Sequence, residues 1–384
     1  MRVLHLHSGN MYGGVETFLA TLAREAGAAP GMESEVGLCF RGRFSAELDT
    51  LGHPPRMLGE VRLSRPHSVI RARRALRDLL QSESFDVVVC HQPWTCVVFA
   101  SVIRAAGLPV VLWVHMASQG QHWLERLCRL TRPDVAVCNS QFTARVVSRW
   151  LPGAQVDHVY PPLSLPLASC GLTERAAIRR GLDTLDRQVV VVHVSRLEAL
   201  KGHRVLLAAL GRLRDLAGWT CWIVGGAQRS AEVQYLRGLQ SEARDLGIDE
   251  RVRFVGERTD VRSVLSAADI YCQPNTEPEG FGLTFVEAMQ EGLPVVTSGI
   301  GAACEIVDGA CGVLTPPGDV SAISGALRRL IVDRDLNARL GAEARRRPDG
   351  LCGLQRQMRR IQAVLGSIAT PRIRAGRSVE ADLR

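Results

Sequence analysis

The stretch Val189-Val190-Val191-Val192-His193-Val194-Ser195-Arg196-Leu197-Glu198-Ala199-Leu200-Lys201-Gly202-His203 decides the class of this chain. Its opening residues are apolar without alternation, apart from one histidine, so they read as a strand buried on both faces. Charge enters only after the strand, and an amphipathic helical pattern follows from 203 to 216. A strand buried on both faces belongs to a parallel sheet covered by helices. The same alternation of short apolar runs and longer amphipathic stretches extends outward in both directions. Strands are predicted at 189–194, 220–224, 252–255, 270–273, 294–297 and 312–314, with helices at 203–216, 231–246, 285–290 and 321–332. Upstream the strands fall at 3–7, 36–40, 86–90, 109–115, 135–139 and 156–160, with helices at 15–26, 69–81, 95–106 and 141–150.

Between the two series lies Tyr160-Pro161-Pro162-Leu163-Ser164-Leu165-Pro166, whose prolines can continue neither a helix nor a central strand. The fold class is therefore α/β, with two doubly wound Rossmann-like domains facing across a cleft. Expected boundaries are a first domain over 1–165, a linker over 166–187, a second domain over 188–348, a terminal helix over 349–366 and a basic tail over 367–384, read as disordered.

Composition narrows the setting. With 384 residues, 46% apolar and 22% charged, each domain can bury its own core. Eleven scattered cysteines form no Cys-x-x-Cys pair, which points to buried free thiols in a reduced, cytoplasmic compartment. The first strand pattern starts at Arg2, leaving no room for a signal peptide, and no apolar run is long enough to span a bilayer. The formal charge is +8, and residues 345–384 carry ten arginines against three acids. That segment has no interleaved aromatics, so no nucleic-acid partner is expected; a solvated face, or peripheral contact with an anionic membrane at its inner face, remains. The predicted helix 69–81 adds Arg71, Arg73, Arg74 and Arg77 to the same question.

Among 47 basic residues one alone is a lysine, Lys201, at a strand-to-helix junction. Where arginine has replaced lysine elsewhere, the survivor marks a position needing a compact ammonium rather than a planar guanidinium. Open parallel sheets bind ligands beyond the carboxyl ends of their strands. Three loops there bear on chemistry in the second domain. Arg196 and Lys201 suit a diphosphate, the one as a fork and the other as a point charge, while an ion pair of Arg196 with Glu198 is the bland alternative. Glu279-Gly280-Phe281-Gly282-Leu283 opens a helix that carries Glu287, combining bare backbone amides with two carboxylates able to hold sugar hydroxyls. The third loop, from Gly256 to Val261, could line a base pocket through its backbone, and an ordinary strand-to-helix turn fits it equally. In the first domain, Gly13 and Gly14 form a glycine-rich loop after the opening strand, and His115 closes a strand facing the crevice. Neither domain has the spacing of a dinucleotide fingerprint, which disfavours a dehydrogenase.

Taken together, Gly13-Gly14-Val15-Glu16, His115, Asn139-Ser140, Ser195-Arg196-Leu197 with Lys201-Gly202, the E-x7-E pair Glu279 and Glu287 around Gly280-Phe281-Gly282, and Gly312-Val313-Leu314 with Pro317-Gly318-Asp319 resemble a retaining GT-B glycosyltransferase of the family-four group, over residues 1–345. The resemblance implies a nucleoside-diphosphate sugar on the second domain and an unidentified acceptor on the first. It gives Arg196 and Lys201 the diphosphate, Glu287 the ribose, and Glu279 with the backbone of Gly280, Phe281, Gly282 and Leu283 the donor sugar. His115 would touch a sugar hydroxyl, and Gly13 and Gly14 would approach the phosphate and acceptor. It further implies hexose transfer with retention, no cofactor beyond the nucleotide sugar, and no metal. Three features depart from the pattern: Tyr160-Pro161-Pro162-Leu163 replaces an Asn-Gly-Val-Asp stretch, the glycines before Glu305 are spaced as Gly299-Ile300-Gly301, and the C-terminal stretch lacks the aromatics usual in a crossover helix. A sugar-nucleotide epimerase or hydrolase, or a non-catalytic nucleotide-sugar-binding scaffold, are the competing readings.

Overall fold

A computed structural model describes residues 1–164 and 171–369. The first domain contains β1 (Arg2–His7), α1 (Gly14–Arg24), β2 (Glu33–Leu38), α2 (Arg43–Thr50), β3 (Arg56–Met57), α3 (Pro66–Ser82), β4 (Val87–His91), α4 (Gln92–Ala105), β5 (Val110–Val114), α5 (Trp123–Thr131), β6 (Val135–Cys138), α6 (Gln141–Trp150) and β7 (Gln155–His158). Its strands form one parallel sheet in the order β3-β2-β1-β4-β5-β6-β7.

The second domain follows with α7 (Leu172–Gly181), β8 (Val189–Val194), α8 (His203–Gly211), β9 (Trp219–Val224), α9 (Ser230–Asp245), β10 (Val252–Gly256), α10 (Val261–Ser266), β11 (Ile270–Gln273), α11 (Leu283–Gln290), β12 (Val295–Ser298), α12 (Ala303–Ile306), β13 (Gly312–Thr315), α13 (Val320–Val332), α14 (Arg334–Cys352) and α15 (Leu354–Ile368). Its strands run parallel in the order β10-β9-β8-β11-β12-β13. In each sheet the strand order reverses at one point, between β1 and β4 and between β8 and β11. Crevices open at such points, so topology alone singles out the loops after these four strands.

Valines fill the central strands because both faces are covered. β4, β5 and β8 are buried throughout. Helices such as α6 and α13 start where a side chain accepts a free amide: Ser140 Oγ takes Thr143 N at 3.0 Å at the start of α6, and Asp319 takes Ala322 N at 2.9 Å at the start of α13. The segment expected as a linker contains α7, which belongs to the second domain. Arg179, 2% exposed, bonds the carbonyls of Asp186, Gln188 and Ala267 and pairs with Asp269 at 2.7 Å, where Arg175 also pairs.

The terminal helix is split at Gly353 into α14 and α15. α15 crosses back to the first domain without aromatic residues. Met358, Ile361, Val364 and Leu365 enter the core formed by Val3, Leu19 and Leu22, and Arg360 pairs with Asp157 at 2.6 Å. Each buried aliphatic chain contributes on the order of 2 kcal/mol, enough to hold the return without an aromatic anchor. Only residues 367–369 of the basic tail lie among those described.

Candidate active site

The loops after β8 and β11 meet. Thr276 N donates to Leu200 O at 2.9 Å, and Gly202, in the left-handed region with φ +76°, lets them close: a Cβ there would stand 1.9 Å from Pro274 O. This contact brings Lys201 Nζ to Glu279 Oε2 at 2.6 Å, two groups 78 positions apart in the chain. Both side chains are largely covered, 14% and 18% exposed. Glu279 Oε2 also lies 3.3 Å from Asn275 Nδ2 and 3.4 Å from Gln273 Nε2. The ammonium thus spends one of its three protons on Glu279 and keeps two for a ligand. Gln273 is held in turn by Tyr271 OH at 2.7 Å.

Arg196 does not join this cluster. Its side chain is 41% exposed and pairs with Glu198 at 3.0 Å, an exchangeable surface contact. Beneath the loop, Ser195 Oγ sits 2.8 Å from His193 Nε2 and 3.2 Å from His203 Nε2. Burial lowers both imidazoles, His203 to about 4, so these rings are neutral under the lysine and add no competing charge.

α11 opens at Gly282, in the left-handed region with φ +94°. Leu283 is half-buried against Gly14 of the first domain, whose ideal Cβ would stand 3.3 Å from Leu283 Cδ1. Phe281, in contrast, is 2% exposed and packs on Tyr160 with ring centroids 5.7 Å apart, so it faces the interior, and only its backbone can reach a ligand. Val261, the first residue of α10, is half-buried against the second-domain core beside the Arg258–Asp260 ion pair. Glu287 is half-buried, and its carboxylate makes no hydrogen bond or ion pair among the described residues. Burial pushes this carboxyl up to about 7 from an ordinary 4.5. The resulting cost to the fold is absent below about pH 4.5, grows as pH rises, and is full above pH 7. Glu287→Gln is therefore expected to raise unfolding stability at pH 8 by on the order of 2 kcal/mol and to change it little at pH 5. Urea titrations at the two pH values check this; equal effects at both would contradict it.

The opposite wall is built on histidines. His115 Nε2 lies 2.8 Å from His91 Nδ1, and His91 Nε2 lies 2.9 Å from His5 Nδ1. Burial drives all three rings toward neutrality, His5 and His115 to about 3 and His91 well below its ordinary value. Each bond then holds one proton and every ring one N–H, so the protons all run in one direction along the chain. The His115 tautomer is consequently tied to those of two buried neighbours. Asn139 Nδ2 fixes the His115 carbonyl at 2.8 Å. Gly13 precedes the helix that places Glu16 2.7 Å from His7 Nε2.

The domains touch directly. Gly280 O accepts Ser140 Oγ at 2.6 Å and Thr143 Oγ1 at 3.0 Å, while Glu305 takes the amides of Gln141 and Phe142 at the start of α6 and Tyr160 OH at 2.9 Å. Gly280 lies so near the first domain that a Cβ would come within 2.6 Å of His115 O. Sequence reading missed Glu305, His91, His5, Gln273 and Asn275. Their one sequence-level mark was position: His91 and Gln273 end strands and Asn275 lies in the loop that follows, whereas His5 is inside β1 and Glu305 inside α12.

The Glycosyl transferases group 1 family model matches residues 174–347 and the Glycosyltransferase Family 4 model residues 12–165. Phosphatidyl-myo-inositol mannosyltransferase of Mycobacterium leprae (strain TN) is 31% identical over 288 residues, covering 73% of this chain and 72% of that protein. The chain belongs to the group 1 glycosyl transferases. Among other members, GDP-mannose-dependent alpha-(1-6)-phosphatidylinositol monomannoside mannosyltransferase of Mycolicibacterium smegmatis is 32% identical over 55% of this chain and 56% of its own length. The fold is GT-B: Anabaena HepE, solved with UDP and glucose, superposes with a TM-score of 0.85 at 24% identity, covering 96% of this chain and 100% of that one. Among the described residues no helix is long and apolar enough to cross a membrane.

Proposed function

We propose that this glycosyltransferase moves a hexose from a nucleoside-diphosphate sugar to an acceptor hydroxyl with retention of configuration, using no cofactor beyond the donor. The observation that carries the reading is the Lys201–Glu279 pair at the switch point of the second sheet, with the unpartnered Glu287 on the adjoining helix. Relatives named for GDP-mannose and a structural neighbour holding UDP and glucose support the donor class.

In this reading Lys201 turns its two free protons to the diphosphate, and Arg196 swings from Glu198 to join it. The bond between the sugar's anomeric carbon and the phosphate oxygen breaks, with its electron pair passing to the diphosphate, where the two cations hold the developing charge. The acceptor oxygen bonds to the anomeric carbon from the same face, and its proton goes to the departing phosphate oxygen. Glu279 accepts sugar hydroxyls through Oε1. Ionised Glu287 accepts the ribose hydroxyls, a use that explains why a carboxylate costly to the fold stands there. Val261 and its loop lie beside the base, and Gly13 and Gly14 face the phosphate.

His115 meets a sugar hydroxyl, in an orientation set by His91. His91→Phe is expected to lower turnover about tenfold through misplacement of His115 while leaving nucleoside-diphosphate affinity unchanged. Rates and titrations on the same preparation check this, and an equal loss of affinity would show that the histidine chain supports the fold instead. A thermal-shift panel of UDP-, GDP- and ADP-hexoses tests the donor class, because a bound donor raises the melting temperature by mass action. No shift with any of them would count against the reading.

A further inference from the structure

α5 lies on the first domain with its apolar residues turned outward. Trp123, Leu127 and Leu130 are 52%, 40% and 76% exposed, and their i, i+4, i+7 spacing sets them in one stripe. The inward face carries Glu125, bonded to Ser118 Oγ, and Cys128. Trp123 is the one exposed tryptophan of six. The loop leading to the stripe starts at the cleft: α5 follows the loop from β5 that begins with His115 and Met116, and Met116, 54% exposed, abuts Gly280.

The surface around the stripe is mainly basic, with Asp134 an exposed acid already paired with Arg104. Arg126, Arg129 and Arg132 are exposed, and their side chains form no ion pair among the described residues. α4 packs between α5 and α3, and α3 with its approach contributes Arg62, Arg65, Arg71, Arg74 and Arg77, likewise exposed and without an ion pair among the described residues, against two exposed acids over the same stretch, Glu60 and Asp78. An apolar stripe carrying an indole and flanked by guanidinium groups matches an interface that is apolar below and anionic at its surface. A second copy of the chain would fit poorly, since a two-fold contact would set the arginines against their own images.

We infer that α5 docks this protein on an anionic bilayer, inserting Trp123, Leu127 and Leu130 below the headgroups while the arginines of α5 and α3 bind lipid phosphates. The docking stands apart from the transfer reaction. That the acceptor is drawn from the bilayer at the cleft rests on the proposed function.

The test is sedimentation of the full chain with vesicles of phosphatidylcholine alone and with about a third phosphatidylglycerol, with tryptophan emission and quenching by bromine-tailed lipid recorded alongside. The expected result is binding to the anionic vesicles only, a blue-shifted and quenched emission absent from Trp123→Ser, and affinity lowered at least tenfold in Trp123→Ser/Leu127→Ser/Leu130→Ser with the melting temperature unchanged. Failure to bind anionic vesicles overturns the inference. So does undiminished binding by the triple variant, which would place attachment elsewhere, for instance on the arginines of 372–384. A wild-type dimer that the triple variant dissolves would make the stripe a protein interface and equally overturn it. None of these outcomes depends on whether sugar transfer is observed.

Discussion

Lys201→Ala is expected to reduce turnover by about a hundredfold to a thousandfold, the range seen when one preorganised group that stabilises developing charge is removed. The lysine is largely covered and fixed by Glu279 at 2.6 Å, so its charge is in place before a donor arrives and needs no reorganisation as the phosphate leaves. Its loss has a second consequence. Glu279 keeps only the longer contacts from Gln273 and Asn275, and a partly buried carboxylate then stands beside the proposed phosphate site without a cation. Lys201→Arg is expected to recover less than a tenth of the lost rate, since a guanidinium is wider and would spend its fork on Glu279. Steady-state rates at saturating donor, with melting temperatures as a fold control, check both variants. Turnover within a few-fold of wild type in Lys201→Ala would remove the lysine from the chemistry.

Gly280→Ala should separate binding from turnover. The added Cβ would stand 2.6 Å from His115 O and 2.7 Å from Met116 Cα, backbone on both counts, so nothing flexible can yield. Relief comes from parting the domains, at the expense of the bonds from Ser140 and Thr143 to the Gly280 carbonyl. Lys201, Glu279 and Glu287, the groups proposed to hold the donor, all lie on the second domain and move together. Nucleoside-diphosphate affinity should therefore stay within a few-fold of wild type while turnover falls about a hundredfold, the scale of loss for an ångström of misplacement at a reacting centre. Unaltered turnover would mean that the cleft works at a wider spacing.

The strands were legible because parallel packing writes them as unbroken apolar runs. β8 and β11 lie at the predicted residues, whereas β3, two residues at a sheet edge, leaves no pattern to read. Helices failed where burial is not apolar. The one buried residue of α7 is Arg179, and α5 buries Glu125 and Cys128 while showing Trp123, Leu127 and Leu130 to solvent, so its periodicity points the wrong way. The crossing of α15 was obscured by its lack of aromatics, although Met358, Ile361 and Leu365 repeat at helical spacing.

Within the candidate site, position after a strand end was the sequence signal that singled out Lys201, Glu279 and His115. Sequence could not show that Lys201 and Glu279 touch, since their contact depends on Gly202 clearing the Pro274 carbonyl. Nor could it show that Phe281 turns inward onto Tyr160 or that Arg196 rests on Glu198. His5 and His91 read as strand residues like any other. Their meaning comes from the adjacency of β1, β4 and β5, which the order of strands along the chain does not reveal.

The central claim is that the Lys201 cluster holds the diphosphate of a sugar donor. Calorimetric titration of the wild type and Lys201→Ala with UDP, GDP and ADP tests it most directly. The account predicts saturable binding of at least one of these nucleotides to the wild type and affinity at least tenfold weaker in the variant. Equal affinity in the two proteins, or no binding of any of the three to the wild type, would contradict it.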